Sequence, residues 1–231
     1  MQPLPVEYFS ALAELPNCRH VFTRRIAGID VSHNKAEALA RLEKAHQQIR
    51  HATGFGDWPL LTAEQIHGDK IAIVDLADCR GSRVGCEDKH FSGCDGIITN
   101  QHGVAVGIYV ADCCAVYIVD PKTPAIGLVH SGRKGTEFGV VSNAIAQMAA
   151  RFGSNPGDLI VQLSPCIRPP HYEINFAAKI VEQCRAQGLH NINDGGICTA
   201  CHVDVYYSYR AEKGRTGRML ALIGLNPTIA D

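Results

Sequence analysis

Three side chains in this sequence have the types and settings that do chemistry: His67 in Gln65-Ile66-His67-Gly68, Cys113 in Ala111-Asp112-Cys113-Cys114, and His130 in His130-Ser131-Gly132-Arg133-Lys134-Gly135. Each ends an apolar run and sits beside a glycine or a turn. Two imidazoles and a thiolate suit zinc, and three protein ligands with a fourth position open is the catalytic pattern, whereas closed four-ligand sites are structural. A metal there acidifies a bound water and supplies a nucleophile near neutral pH. Without metal, the same trio is a thiolate with two bases. A third reading is structural, with Cys113 a buried core thiol and His130 a hydrogen-bonded strand cap. His67 and Cys113 are 46 residues apart, so local spacing does not choose among the three.

Gly132-Arg133-Lys134-Gly135 precedes a helix that the pattern starts near Thr136. Free backbone N–H groups and two cations converge there, as a phosphate or carboxylate site requires; the alternative is two solvated charges in a turn. Cys198-Thr199-Ala200-Cys201-His202 has CxxC spacing but no second CxxC to complete a zinc ribbon. Cys79, Cys86, His90 and Cys94 match no finger spacing, and Tyr206-Tyr207-Ser208-Tyr209-Arg210 reads as a packing surface.

The elements that must position these groups follow from periodicity. A strand is expected around His20–Thr23, and a helix from about Lys35 to Ala52, capped by Ser32 or Asn34, with Ala38, Leu42, Ala45 and Ile49 at helical spacing. Leu60–Ala63 and Lys70–Val74 read as strand pieces around a turn that carries His67, and the polar stretch 77–96 as a loop. Ile97–Thr99, Val104–Val110, Val116–Val119 and Ile126–Val129 read as strands, with hairpin turns at Asn100–Gly103 and Asp120–Pro124. Thr136 is the expected cap of a helix with Phe138, Val141, Ile145, Met148 and Phe152 on one stripe, ended by Gly153. A strand at Leu159–Leu163, a helix over Phe176–Gln187 and apolar runs at Val203–Tyr207 and Met219–Leu222 complete the pattern. No repeat or linker interrupts it, so one domain over 1–231 is expected.

Composition narrows the class. A chain of 231 residues with 46% hydrophobic content supports a sizeable core. A formal charge of -1 gives no electrostatic case for nucleic acid or an anionic membrane as partner. No run approaches the roughly 18–20 apolar residues that span a bilayer, and the first residues show no signal peptide. Ten cysteines in a chain neither small nor visibly secreted read as reduced thiols, which points to the cytoplasm.

Taken in order, the motifs resemble a known family, the multicopper polyphenol oxidase (laccase-domain) proteins, more recently described as purine nucleoside phosphorylases. The family pattern of Q-x-H-G, A-D-C, D-P and H-A-G-W-R-G is similar to Gln65–Gly68, Ala111–Cys113, Asp120-Pro121 and His130–Gly135 here. Ser164-Pro165-Cys166-Ile167, Tyr172-Glu173-Ile174, Cys198-Thr199, Tyr207-Ser208-Tyr209-Arg210 and Thr216-Gly217-Arg218 continue it across roughly residues 60–224. The resemblance implies an α+β fold, with two mixed β-sheets packed between helical layers (α/β/β/α). It implies zinc on His67, Cys113 and His130, which also act in catalysis. It implies phosphorolysis of adenosine, inosine, guanosine and methylthioadenosine, with adenosine deamination as a second activity, so purine nucleoside and phosphate are the partners. Arg41, by resemblance to an early helical Asn-Arg pair, joins Arg133 and Lys134 as substrate- or phosphate-binding residues. The chain departs from the pattern where Arg133 replaces the family tryptophan and Lys134 the arginine, trading an aromatic face for a cation and a bidentate fork for a point charge. Three alternatives stand beside this: a copper-dependent polyphenol oxidase, a zinc-binding nucleoside-binding protein with altered catalysis, and a metal-free cysteine amidohydrolase. Eleven scattered histidines with no H-x-H pair argue against a four-copper oxidase.

Overall fold

A computed structural model describes residues 3–75 and 87–227. Two six-stranded sheets organise them. The first runs in the order β1 (Val6–Glu7), β2 (Cys18–Thr23), β12 (Met219–Leu225), β7 (Ala105–Val110), β3 (Leu60–Ala63), β5 (Lys89–Phe91). The second runs β11 (Asn191–Asp194), β10 (Ile160–Leu163), β8 (Cys114–Asp120), β9 (Ala125–Ser131), β6 (Gly96–Thr99), β4 (Ile71–Val74). Both are mixed: β3 is parallel to β7 and β5, β4 to β6, and β10 to β11, while the other pairs are antiparallel.

The near-continuous apolar runs are the central strands, because both of their faces are covered. Every residue of β8, β9 and β12 is buried. The two-residue strand period then sorts side chains between two cores. Tyr117, Val119, Ile126 and Leu128 point into the space between the sheets, where Val106, Ile108, Ala221 and Ile223 meet them. Val116, Ile118 and Val129 point the other way, onto α4 (Val140–Phe152) and α5 (Phe176–Ala186) through Val141, Ile145, Met148 and Ile180. The outer face of the first sheet buries Ala105, Leu220 and Leu222 against Phe55. There α2 (Lys35–Ala52) sets His46 against Tyr109, ring centroids 5.7 Å apart. This is the expected α+β layering. No helix among the described residues is long and apolar enough to cross a membrane.

The expected α2 is found in full, and Asn34 rather than Ser32 caps it, its side chain accepting from the Glu37 N–H. Several expectations are corrected. Asn100–Gly103 is no hairpin: β6 and β7 lie in different sheets, and the segment carries the chain between them. The strand pieces expected on either side of His67 are both found, β3 in the first sheet and β4 in the second. Part of the expected 77–96 loop is a strand, β5, which adds to the edge of the first sheet; residues 76–86, with Cys79 and Cys86, lie outside the described residues. The helix expected after Gly135 is broken in two. Gly132 starts α3 (Arg133–Glu137), and Gly139 at φ 76° forces a left-handed step before α4. Thr136 therefore sits inside α3, its hydroxyl bonded back to the Gly132 carbonyl, and Phe138 leaves the buried stripe with 63% exposure. Val203–Tyr207 forms no strand. The short β1, β11 and α1 (Ser10–Ala13) carried no periodic signal.

Candidate active site

Each member of the trio sits where the chain leaves one layer for another. His67 follows β3 in a turn that places Gln65 and His67 at φ 66° and 65°, left-handed values that non-glycine residues rarely adopt. Two fastenings hold that turn. The Gln65 amide donates to the Tyr109 carbonyl at 2.6 Å and accepts the Tyr109 N–H at 3.0 Å, pinning the turn to β7. The backbone N–H groups of His67 and Gly68 donate to the two carboxylate oxygens of Asp95, each at 2.7 Å.

Cys113 lies on the crossing from β7 to β8. The preceding Asp112 is again left-handed, at φ 81°. Its buried carboxylate accepts from the Thr199 hydroxyl at 2.6 Å and from the Arg210 N–H at 2.7 Å, so the crossing is tied to the CxxC stretch and to the segment after it. His130 is near the end of β9, opposite Ala115, and Gly132 follows it. A Cβ on Gly132 would lie 2.6 Å from the Cys113 sulfur, so this position admits the thiol only because it is glycine.

Together these placements bring His67, Cys113 and His130 into one group whose donor atoms all lie within 4.8 Å of one another. The two imidazole rings meet edge to face with centroids 4.8 Å apart. Asp95 orients the cluster. Its Oδ1 is 2.9 Å from His130 Nδ1, and its own carbonyl accepts the His130 N–H at 2.6 Å. A carboxylate only accepts, so Nδ1 carries the hydrogen and Nε2 is left free as a ligand. This carboxylate–imidazole support is the usual second layer of a metal site.

The electrostatics are those of a poised cluster. Burial pushes the Cys113 thiol up, but the His130 charge and the bonds to His130 and His67 outweigh it and bring it down to about 6. Burial pushes His130 down, yet Cys113 and Asp95 raise it to about 9. Burial also works against ionising Asp95, but its bonds to His130, Gly68 and His67 hold the carboxyl below its usual range. In the metal-free protein at neutral pH the pair is therefore a thiolate beside an imidazolium. The donor set of two nitrogens and one sulfur, with an oriented imidazole and a space cleared at Gly132, fits a bound metal ion. Binding one releases the His130 proton.

The trio opens into a cleft of about 620 Å³. Aromatic faces line it: Tyr172, Phe176, Tyr109 and Tyr209. So do four cations, Lys35, Arg133, Arg210 and Arg218. Arg133 stands at the mouth, its Nε 3.0 Å from Glu137 and its Nη1 3.7 Å from Glu173. Lys134 lines an adjoining depression with Ile66, His67 and Cys113. Arg41 is elsewhere: it pairs with Glu37 at 3.2 Å and Asp30 at 3.6 Å and does not reach the cleft. Tyr209 and Arg210, expected as packing surface, face the cleft, and Arg210 lies over the Tyr172 ring at 4.9 Å. Of the other cysteine clusters, His90 bonds Thr62 and Cys94 bonds the Ser92 carbonyl, and the eight described cysteines are all unpaired. Sequence reasoning missed Asp95 and Lys35. Neither has a local signal, since one precedes a strand and the other opens a helix.

Solved structures place the architecture. The crystal structure of YlmD from Geobacillus stearothermophilus superposes with a TM-score of 0.82 over 97% of this chain and 100% of that one, at 23% identity, so the two share a fold. The model of the family described as "Multi-copper polyphenol oxidoreductase laccase" matches residues 19–183 and 174–226, and the chain belongs to that family. Among curated relatives, "Purine nucleoside phosphorylase YlmD" of G. stearothermophilus is 30% identical over 70% of each chain. "Purine nucleoside phosphorylase LACC1" of Homo sapiens is 28% identical over 89% of this chain and 55% of its own length.

Proposed function

We propose that this chain is an enzyme that cleaves purine nucleosides by phosphorolysis at a zinc centre held by His67, Cys113 and His130, with adenosine deamination as a second activity of the same site. The substrates assigned are adenosine, inosine, guanosine and methylthioadenosine. The observation that carries the reading is a three-donor cluster opening into a cleft that offers both aromatic faces and cations. The names of the relatives support it.

Within that reading, Tyr172 and Phe176 form a T-shaped pair with centroids 5.9 Å apart that receives the flat base, a face that compensates for Arg133 in place of the family tryptophan. Arg133 and Lys134 at the mouth draw in the anion. His67 is the most accessible member of the trio, so it stands nearest the substrate. Asp95 fixes the His130 tautomer and the His67 turn together. When bound, zinc supplies an acidified water or an electrophilic contact in its open position.

Copper oxidation is the second reading, favoured by the family's description. A multicopper site needs several histidine-rich groups, and among the described residues a single three-donor cluster has metal spacing. A thiolate with two imidazoles also suits a single copper ion, so what weighs against copper oxidation is the lack of a multicopper cluster among the described residues and not the donor set. The test is incubation of purified protein with adenosine, with and without phosphate, following adenine, inosine and hypoxanthine. Phosphate-dependent adenine release that His67→Ala and Cys113→Ala abolish is expected. Stoichiometric copper with oxygen uptake, or no nucleoside turnover, overturns the reading.

A further inference from the structure

Two of the cleft cations lack a direct ion-pair partner among the described residues, although carboxylates act on both from further away. Arg210 shares Glu173 with Arg133, at 3.4 and 3.7 Å. Arg218 and Lys35, by contrast, make no ion pair among the described residues. Arg218 is only 8% exposed, and its Nη1 donates to the carbonyls of Thr216 and Gly217, each at 2.9 Å. Those bonds fix the guanidinium without neutralising it, with the Tyr209 ring centroid 5.8 Å away. A buried cation is ordinarily paired. The two cations also work against each other: partial burial and then the Arg218 charge push the Lys35 ammonium down. The negative group that Arg218 feels most is Cys113, which the metal-binding reading commits to the ion.

We infer that Lys35 and Arg218 form an oxyanion subsite in the cleft, beside the trio, that seats inorganic phosphate. An arginine held rigid by its Nη1 presents the remaining edge of a planar fork, and a lysine on the accessible wall adds a point charge. A phosphate dianion would give both cations the direct partner they lack. This deepens the phosphorolysis reading and rests on it for the identity of the anion. It also makes Arg133 and Lys134 the approach to the subsite rather than its floor.

The test is calorimetric titration of inorganic phosphate into zinc-loaded and chelator-treated wild type, Lys35→Met, Arg218→Gln and Arg133→Gln, each first checked for folding by thermal unfolding. Lys35→Met and Arg218→Gln are expected to weaken phosphate binding at least about tenfold, the effect of losing one charge-assisted bond, and Arg133→Gln less than about threefold. Should Arg218→Gln fail to fold, Lys35→Met decides alone, because its side chain is exposed. Wild-type affinity in Lys35→Met, no binding by wild type, or an equal loss in Arg133→Gln overturns the assignment. If phosphate binds through these residues but no nucleoside is consumed, the phosphorolysis reading falls and the subsite stands. Phosphorolysis with phosphate binding unchanged in the variants gives the reverse.

Discussion

Gly132→Ala tests the cluster without touching a donor atom. The added methyl would lie 2.6 Å from Cys113 Sγ and 3.8 Å from His67 Cδ2. Non-bonded heavy atoms rest about 3.5–4.0 Å apart, so the overlap with sulfur is roughly 1 Å while the imidazole is undisturbed. Gly132 has φ -100° and ψ -166°, ordinary extended backbone that alanine adopts freely, so the clash falls on the thiol and not on the main chain. The Cys113 side chain is half-buried and can turn to another staggered rotamer. The fold then loses only about 1–3 kcal/mol, the usual cost of one excess methyl. The cluster loses more, because one of three donors has turned away. Zinc affinity should fall beyond the roughly 10–100-fold that loss of an outer supporting residue costs. Competition with a chromogenic chelator measures that fall, and thermal unfolding of the metal-free protein measures the first cost. Unchanged zinc affinity refutes the reasoning. So does a variant that cannot fold without metal, since the clash would then rest on the fold itself.

Further expectations rest on single contacts. Asp95→Asn can offer only one acceptor where the carboxylate offers two, and should lower zinc affinity roughly 10–100-fold. Because the folded Asp95 carboxyl is held below its usual range, the stability it contributes is present above about pH 4 and lost as pH falls through the folded value. The gap in unfolding free energy between wild type and Asp95→Asn should therefore close in acid. In metal-free protein, alkylation of Cys113 by iodoacetamide should rise around pH 6 instead of near the ordinary thiol value of about 8.5. His130→Ala should move the rise upward, and bound zinc should suppress the reaction. Thr199→Val removes a donor from the buried Asp112 carboxylate and should destabilise the protein by about 1–3 kcal/mol in denaturant titration.

The central strands of the second sheet, β8 and β9, were readable because their burial on both faces leaves long apolar runs, as in Ala125–Val129. The helix over Lys35–Ala52 was readable because Asn34 caps it and its buried positions keep helical spacing. Which sheet a strand joins was not readable. Asn100–Gly103 has the composition of a hairpin turn, yet the inter-sheet core takes β6 and β7 on opposite sides. The trio was legible through its flanking glycines and turns, whose steric reason appears only in space, at Gly132 against sulfur. Asp95 was silent for the opposite reason: it acts through bonds to residues 27, 28 and 35 positions away. In the sequence Arg218 appears only as the end of Thr216-Gly217-Arg218, and its burial beside the cleft is a tertiary fact.

The crossings between the sheets have a further consequence. His67 lies between β3 and β4, Cys113 between β7 and β8, and each pair of strands is divided between the two sheets. An ion gripped by both residues therefore ties the two sheets together at the crossings between them. In the unfolded chain the donors are dispersed along the sequence, so binding free energy becomes folding free energy, about 2.7 kcal/mol at a free metal concentration 100 times the dissociation constant. Metal supply would then govern how much of this protein a cell retains as well as how fast it turns over, since a loss of that size changes steady-state abundance several-fold.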